Sequence, residues 1–321
     1  MTQSSTRTVI MGTRGSPLAL AQARQFAQQL EAAHQNLVVE VRIIRTTGDK
    51  NQISALPAIG GKGVFTLEIE AALLDGSIDF AVHSLKDLPP DLPDGLMLGC
   101  IPKRESASDV LIIHEKYLCG GEVLEGIIPT RGAIIGTSSL RRRAMILNMW
   151  PDVIVRDIRG NIDTRLKKLD ESFDAIILAE AGLKRLGVDV RDRAHDLSGY
   201  GFISAPGQGA LAIECRQNDN RVLELLNALE HNATRLAIVA ERACMKALGA
   251  GCSTPLGAHA IVFNTGNLFM QAVVLSPDGA EIIKAQLEDW AENATQLGEN
   301  IARELLRKGA AKLLPPPAPP W

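Results

Sequence analysis

Short apolar runs and longer amphipathic ones alternate along the first two thirds of the chain. Thr8 to Met11 reads as a buried strand that runs into Thr13-Arg14-Gly15-Ser16-Pro17-Leu18. Ser16 fits a helix N-cap and Pro17 the first helical position, so a helix is expected to about His34. Val38 to Arg45, rich in β-branched residues, is the next strand. Val64, Leu67, Ala71 and Leu74 recur at helical spacing and predict a helix with that face buried. Ile78 to Val82 is a strand that delivers His83-Ser84-Leu85-Lys86-Asp87 at its end. A second series has strands at Val110–Ile113, Ala133–Ile135, Val153–Ile158 and Asp174–Leu178, and Ala210–Cys215 follows as a strand returning to the first series. Strands alternating with helices argue for α/β layers with mostly parallel sheets.

Two composition shifts divide this pattern. The polar stretch Pro102 to Ser108 and the Gly207-Gln208-Gly209 run mark two chain crossings, and two crossings between α/β halves suggest a hinged pair with a cleft between them. From Asn232 the pattern changes to a helix ending near Leu248. Three strand-like runs follow, at Ala258–Phe263, Leu268–Leu275 and Glu281–Ala285, separated by Asn264-Thr265-Gly266-Asn267 and Ser276-Pro277-Asp278-Gly279 turn chemistry. A helix from Ala291 to Lys308 closes a small α+β unit with an antiparallel three-stranded sheet. The expected division is residues 1–104 with 206–228, residues 105–205, residues 229–312, and a Pro-rich extended tail at 313–321. No internal repeat is visible.

Composition narrows the class. The 321 residues are 46% hydrophobic, enough for sizeable cores, and the net charge of −3 argues against wholesale polyanion binding. Five cysteines, without a C-x-x-C pair or zinc-like spacing, read as reduced thiols. No hydrophobic signal region opens the chain and no apolar stretch is long enough to span a bilayer, so a soluble cytoplasmic protein is expected.

The charge is unevenly placed. Residues 131–168 hold nine basic and three acidic side chains. Arg14, the Gly136-Thr137-Ser138-Ser139-Leu140-Arg141-Arg142-Arg143 run and the Arg159-Gly160-Asn161-Ile162-Asp163-Thr164-Arg165 run each sit where a strand passes into a helix. Helix N-termini present free N–H groups and partial positive charge, and guanidinium groups match carboxylates. A polyanionic ligand follows for the set, although any one arginine is as well explained by a surface ion pair. Trp150 is the only aromatic residue in that region, which speaks against a nucleic-acid stacking platform. Gly60-Gly61-Lys62-Gly63 lacks P-loop spacing but can help bind an anion. Asp87 fits either a proton-transfer and cation-stabilising role or a local pairing with Lys86. His83 at the end of an apolar strand reads as a core histidine. Cys252, between Gly249-Ala250-Gly251 and Ser253-Thr254-Pro255, is either a presented thiol or a small buried residue in a turn. Cys100, Cys215 and Cys244 read as core.

Several motifs together resemble the porphobilinogen deaminase (hydroxymethylbilane synthase) family: Thr13-Arg14-Gly15-Ser16-Pro17-Leu18, Gly60-Gly61-Lys62-Gly63-Val64-Phe65, Ala81-Val82-His83-Ser84-Leu85-Lys86-Asp87, Gly136 to Arg142, Arg159-Gly160-Asn161 with Thr164-Arg165, Ala179 to Arg185, Gly207-Gln208-Gly209 and Gly251-Cys252 with Pro255. The resemblance implies two α/β domains like type II periplasmic binding proteins and a third domain carrying Cys252. It implies a dipyrromethane cofactor joined to Cys252 by a thioether. Four porphobilinogen units are then added to that primer with loss of ammonia, and the linear tetrapyrrole hydroxymethylbilane is released by hydrolysis. Each pyrrole bears an acetate and a propionate. By the same resemblance Arg14, Ser16, Lys62, Lys86, Thr137, Ser138, Ser139, Arg141, Arg142, Arg159, Arg165, Arg185 and Gln208 hold cofactor and substrate, and Asp87 faces the pyrrole nitrogens and stabilises the cationic species left by ammonia. No metal, nucleic acid or membrane is implied, and a monomer that passes its product to the next tetrapyrrole enzyme is expected. The rival reading is a two-lobed small-anion binding protein without catalysis. The chain departs from many relatives at Thr46-Thr47-Gly48-Asp49, at Ala58 and at Arg143.

Overall fold

A computed structural model describes residues 6–46, 66–117, 131–251 and 254–314. Lys62, Cys119, Cys252 and the Pro-rich tail lie outside these residues. The chain divides into two compact units, residues 1–105 with 209–235, and residues 106–208 with 236–321.

The first unit is built on β1 (Arg7–Thr13), β2 (Leu37–Ile43), β3 (Phe80–Ser84), β4 (Leu96–Cys100) and β10 (Leu211–Arg216), in the order β2-β1-β3-β10-β4. β1 runs parallel to β2 and β3, while β10 lies between β3 and β4 and antiparallel to both. β4 was not expected from the sequence, because Leu96-Met97-Leu98-Gly99-Cys100 follows a proline-rich stretch and is too short to show a period. Helix α1 (Pro17–Ala33) begins as expected: the Ser16 side chain accepts from the Ala19 N–H and Pro17 opens the first turn. It buries Phe26 edge-on against Phe80 of β3, with ring centroids 5.9 Å apart.

The opposite face of this sheet carries α2 (Leu67–Leu74). Here the expected face is wrong. Leu67, Ala71 and Leu74 are exposed, and the helix buries Ile69, Glu70 and Leu73. Ile69 and Leu73 pack with Ile78, Ala81 and Leu96. A helix of two turns offers two apolar faces of similar strength, and the packing surface chose between them.

The second unit repeats the strand plan. β5 (Asp109–Ile113), β6 (Ile134–Gly136), β7 (Ile154–Arg156), β8 (Ala175–Ala179) and β9 (Ala194–Asp196) form a sheet of order β7-β6-β8-β5-β9. β6 is parallel to β7 and β8, and β5 is antiparallel to its neighbours β8 and β9. Both sheets therefore place one antiparallel strand fourth, a repetition that the sequence hides. Helices α3 (Leu140–Met149), α4 (Ile162–Ser172) and α5 (Glu180–Leu186) follow β6, β7 and β8.

The same unit holds an antiparallel sheet of β11 (Leu256–Val262), β12 (Asn267–Leu275) and β13 (Ile282–Trp290), as the turn chemistry predicts. Helices α7 (Asn232–Ala247), whose first turn belongs to the first unit, and α8 (Ala294–Arg307) cover it, while the short α6 (Asn220–Leu226) belongs to the first unit. Val273 and Leu275 of β12 join a core with Phe202 and Ile203, which ties this sheet to residues 131–203. Glu241 of α7, fully buried, accepts from the N–H groups of Gly207 and Ala260 at 2.7 and 2.9 Å.

Candidate active site

In the first unit, β1 and β3 end side by side, and α1 starts above them. The positive end of α1 is not offset, since its first turn carries no acidic residue. Next to it the side chains of Gln22 and Ser84 hydrogen-bond at 3.0 Å. Asp87 is held in a single 3₁₀ turn, Leu85–Asp87, pinned by the Leu85 N–H to the Ala210 carbonyl at 3.0 Å. A cavity of about 70 Å³ results, lined by Arg14, Ser16, Gln22, His83, Ser84 and Asp87 among others. The structure thus brings Arg14, Ser16 and Asp87 to one pocket. Lys86, in the same turn, is half-buried and is not part of the cavity lining.

The second unit repeats the motif twice. Ser139 caps α3, accepting from the Arg142 N–H at 3.4 Å, and Asn161 caps α4, accepting from the Thr164 N–H at 2.8 Å. Thr137 accepts from the Ser139 N–H at 3.2 Å, whereas Ser138 donates to the Ile158 carbonyl at 2.9 Å. Thr137 and Ser139 therefore keep their own hydroxyl protons for another acceptor, and the Ser138 proton is already engaged.

Arg141 and Arg142 turn inward. Asp109, 1% exposed at the start of β5, lies 2.7 Å from Nη1 of Arg141 and 2.7 Å from Nη2 of Arg142. Arg141 also donates to the Ile203 carbonyl at 2.8 Å and stacks over Phe202, and Arg142 donates to the Ile177 carbonyl at 2.9 Å. Gln208 gives its amide N–H groups to Ala107 O and Asp109 Oδ1, at 2.7 and 3.0 Å. Gln208 thereby helps to hold Asp109. Burial pushes the Asp109 carboxyl up, but the charges of both arginines and the hydrogen bonds from Arg141 and Gln208 outweigh it and hold it well below the usual carboxylate range. Asp109 carries no local sequence signal, because its partners are distant along the chain.

Arg165 is different. Its Nε donates to the Gly160 carbonyl at 2.9 Å, and among the described residues no carboxylate pairs with it. Burial, with the charge of Arg142 adding to it, pulls its pKa down to about 10. Arg159 sits half-buried ahead of Gly160, whose φ of 118° belongs to glycine, and Arg185 lies in the last turn of α5.

The remaining thiols are inert by environment. Burial pushes Cys100 and Cys244 up to about 12 and Cys215 to about 11, so all three are core, as the sequence suggests. No group of metal ligands and no helix long and apolar enough to cross a membrane occurs among the described residues.

Fold and site together define a class: an α/β protein with two sheets of one strand plan, arginine-bearing helix starts whose donors match carboxylates, and an α+β unit. Two family models match the chain. The porphobilinogen deaminase dipyrromethane cofactor binding domain matches residues 9–224, and the porphobilinogen deaminase C-terminal domain matches residues 235–307. Curated relatives include the porphobilinogen deaminases of Desulforudis audaxviator, 46% identical over 96% of this chain and 97% of that protein, and of Macrococcus caseolyticus, 43% identical over 96% and 97%. Among solved structures, the second substrate binding domain of a putative amino acid ABC transporter from Streptococcus pneumoniae overlays with a TM-score of 0.40 at 11% identity, covering 70% of this chain and 92% of that one. The chain belongs to the porphobilinogen deaminase family. That membership sets aside the non-catalytic anion-binding reading.

Proposed function

We propose that this chain is a hydroxymethylbilane synthase. It joins four porphobilinogen units head to tail on a dipyrromethane primer, releases ammonia at each addition and frees the tetrapyrrole by hydrolysis. The observation that carries this reading, beyond family membership, is Arg165: a part-buried guanidinium without a carboxylate partner among the described residues. With the uncompensated starts of α1 and α3 it makes a donor set whose chemistry fits the acetate and propionate groups of pyrroles. The residues therefore fit the cofactor, which Cys252 would carry as a thioether. When bound, the dipyrromethane supplies the pyrrole carbon on which the chain grows.

The chain's own groups do the rest. Arg14 and Ser16 bind carboxylate at the start of α1, with Lys62 and Lys86 adding charge. Thr137, Ser138, Ser139, Arg159, Arg165 and Arg185 do the same in the second unit, and Arg141 and Arg142 contribute the donors that Asp109 leaves to them. Each charge-assisted contact is worth about 1.5–3 kcal/mol. Asp87 in its pocket opposes the positive charge that develops on the porphobilinogen ring as its amine departs, an electrostatic role that needs no metal. We further propose three domains, residues 1–104 with 206–228, 105–205 and 229–312, and a cytoplasmic monomer that passes its product to the next tetrapyrrole enzyme. The three buried, unpaired thiols support a reducing compartment.

The intact mass of the purified protein tests this reading. It should exceed the sequence mass by two pyrrole units and give colour with Ehrlich's reagent, and Cys252→Ala should lose both. An active preparation with unmodified mass would refute the cofactor and its attachment site.

A further inference from the structure

The far end of the three-stranded sheet carries exposed apolar and acidic side chains that neither the arginine-bearing helix starts nor the Asp87 pocket uses. Among the described residues β13 pairs only with β12, so it is an edge strand. Trp290 stands opposite Asn267, and Glu288 stands opposite Phe269, which in turn faces Ile261 of β11. Opposed residues share a sheet face, as do residues two apart, so Ile261, Phe269, Glu288 and Trp290 lie on one face. Ile261 is 44% exposed and Trp290 is 58% exposed. A Cβ at Gly266 would lie 3.9 Å from the Trp290 ring, so the ring is seated on the β11–β12 turn. A hollow of about 320 Å³ adjoins it, lined by Asn267, Glu288, Asp289 and Trp290.

The hollow is negative. Oε1 of Glu288 accepts from the Asn267 side chain at 2.6 Å, and Oδ1 of Asp289 accepts from the Trp290 N–H at 2.7 Å and from the Asn293 side chain at 3.0 Å. Among the described residues no lysine or arginine pairs with either carboxylate, and Oε2 of Glu288 and Oδ2 of Asp289 remain open. Successive strand residues point to opposite faces, so one carboxylate stands on each side of the edge.

The backbone of this edge is closed over one half only. The Ala291 N–H donates to the Gly266 carbonyl at 3.0 Å, and the Ser276 N–H donates to the Glu281 carbonyl at 2.9 Å. Bonded pairs alternate in an antiparallel ladder, so the N–H and C=O groups of Lys284, Gln286 and Glu288 point away from β12. Lys308, just after α8, donates to the Lys284 carbonyl at 2.9 Å, and Lys312 pairs with Glu281 at 3.1 Å. These lysines guard the first half of the strand, as charged side chains do at many sheet edges. Among the described residues nothing pairs with the outward backbone groups of Gln286 and Glu288.

We propose that the edge from Gln286 to Trp290 is a docking site for an extended, arginine-bearing segment of a partner protein. The segment adds as a fourth strand. Its backbone pairs with Gln286 and Glu288, its guanidinium groups meet Glu288 and Asp289, and one of them lies over the Trp290 ring. Charge decides among the occupants. Two carboxylates without a basic partner repel phosphate, which disfavours nucleic acid and anionic lipid. A second copy of this chain, paired through its own β13 about Gln286, would set each Lys284 opposite Glu288 of the other copy. That pairing needs the Lys284 carbonyl, which Lys308 already holds. The site shares no residue with those that bind porphobilinogen, so it goes beyond the hydroxymethylbilane synthase reading and does not depend on it.

The test titrates the full-length protein with two end-blocked peptides, one of alternating valine and arginine and one with glutamate in place of arginine. Calorimetry should show saturable binding of the arginine peptide and weaker binding of the glutamate peptide, with the difference shrinking as salt is raised. Bound arginine peptide should slow hydrogen exchange at the Gln286 and Glu288 amides. Trp290→Ala should weaken the arginine peptide about tenfold, and Glu288→Lys combined with Asp289→Lys should reverse the preference. Equal affinity for the two peptides overturns the proposal, as does wild-type affinity in the Trp290→Ala protein. If the double variant does not fold, the peptide comparison and the exchange at Gln286 and Glu288 in the wild type decide alone, and unprotected amides overturn the proposal. Concentration-dependent protection of the same amides without any peptide would give the edge to a second copy and overturn it equally.

Discussion

Oδ2 of Asp109 lies 2.7 Å from Nη1 of Arg141, and its other oxygen lies 2.7 Å from Nη2 of Arg142. One fully buried carboxylate therefore holds two guanidinium groups of the family motif in place, and the triad keeps one net positive charge. Removing the shared anion leaves two buried cations facing each other. Asp109→Asn should destabilise the protein by about 3–5 kcal/mol, the usual cost of breaking a buried pair. Urea unfolding at neutral pH measures it. A loss below about 1 kcal/mol, as for an exposed pair, would contradict the arrangement.

The same carboxyl gives a pH signature. Its folded pKa is lowered, so its stabilisation is fully present above the unfolded value of about 3.9 and disappears as pH falls through the folded value. The wild type should thus lose stability below about pH 4, in part through Asp109. Asp109→Asn should show a shallower acid slope, with no change of slope between about pH 5 and 8.

Arg165 should behave in the opposite sense. A basic group with a lowered folded pKa costs stability while it is charged, at every pH below about 10, and the cost fades above that value. Arg165→Gln should leave the melting temperature of the free protein unchanged or higher. The same change should reduce kcat/KM for porphobilinogen by about 10–100-fold, equivalent to one charge-assisted contact. Calorimetry and steady-state kinetics on one preparation separate the effects; a clear fall in melting temperature would show that Arg165 has a structural partner instead.

Asp87 is exposed in a turn pinned by backbone hydrogen bonds, so its side chain can change without unfolding the unit. Asp87→Asn should retain the wild-type melting temperature and lose about 10²–10³-fold in kcat. Ammonia release in single additions is the direct assay, and near-normal rates remove Asp87 from the chemistry.

Gly279 closes the β12–β13 turn with φ of +74°. A Cβ there would meet the Ala144 carbonyl and the Asn148 N–H of α3, while the Asn148 side chain donates to the Gly279 carbonyl at 2.9 Å. Gly279→Ala should cost at least about 1 kcal/mol from backbone strain together with the clash. A melting temperature equal to wild type would refute this docking of the hairpin.

Much of the frame was legible because its causes are local. Ser16 and Pro17 announce α1 through capping and fixed φ, and the two turn-rich stretches after Phe263 and Leu275 announce an antiparallel meander. The arginines at helix starts were also legible, since a polar residue after a short apolar run marks where a strand passes into a helix. Cys252, Asp87 and the arginines stand in motifs that resemble the family's, and a motif is legible without its spatial neighbours.

Other features were decided by pairing across the chain. The sequence alone determined most of the helices and strands, that positive charge collects at helix starts, and which family the motifs resemble. Only the tertiary structure decided that α2 buries Ile69, Glu70 and Leu73 and exposes Leu67 and Leu74. It alone placed Asp109 between two arginines and set Glu214 beside His83. The physical reason is that helix period and turn chemistry act over a few residues, whereas a buried charge persists only beside a partner that strand order brings to it.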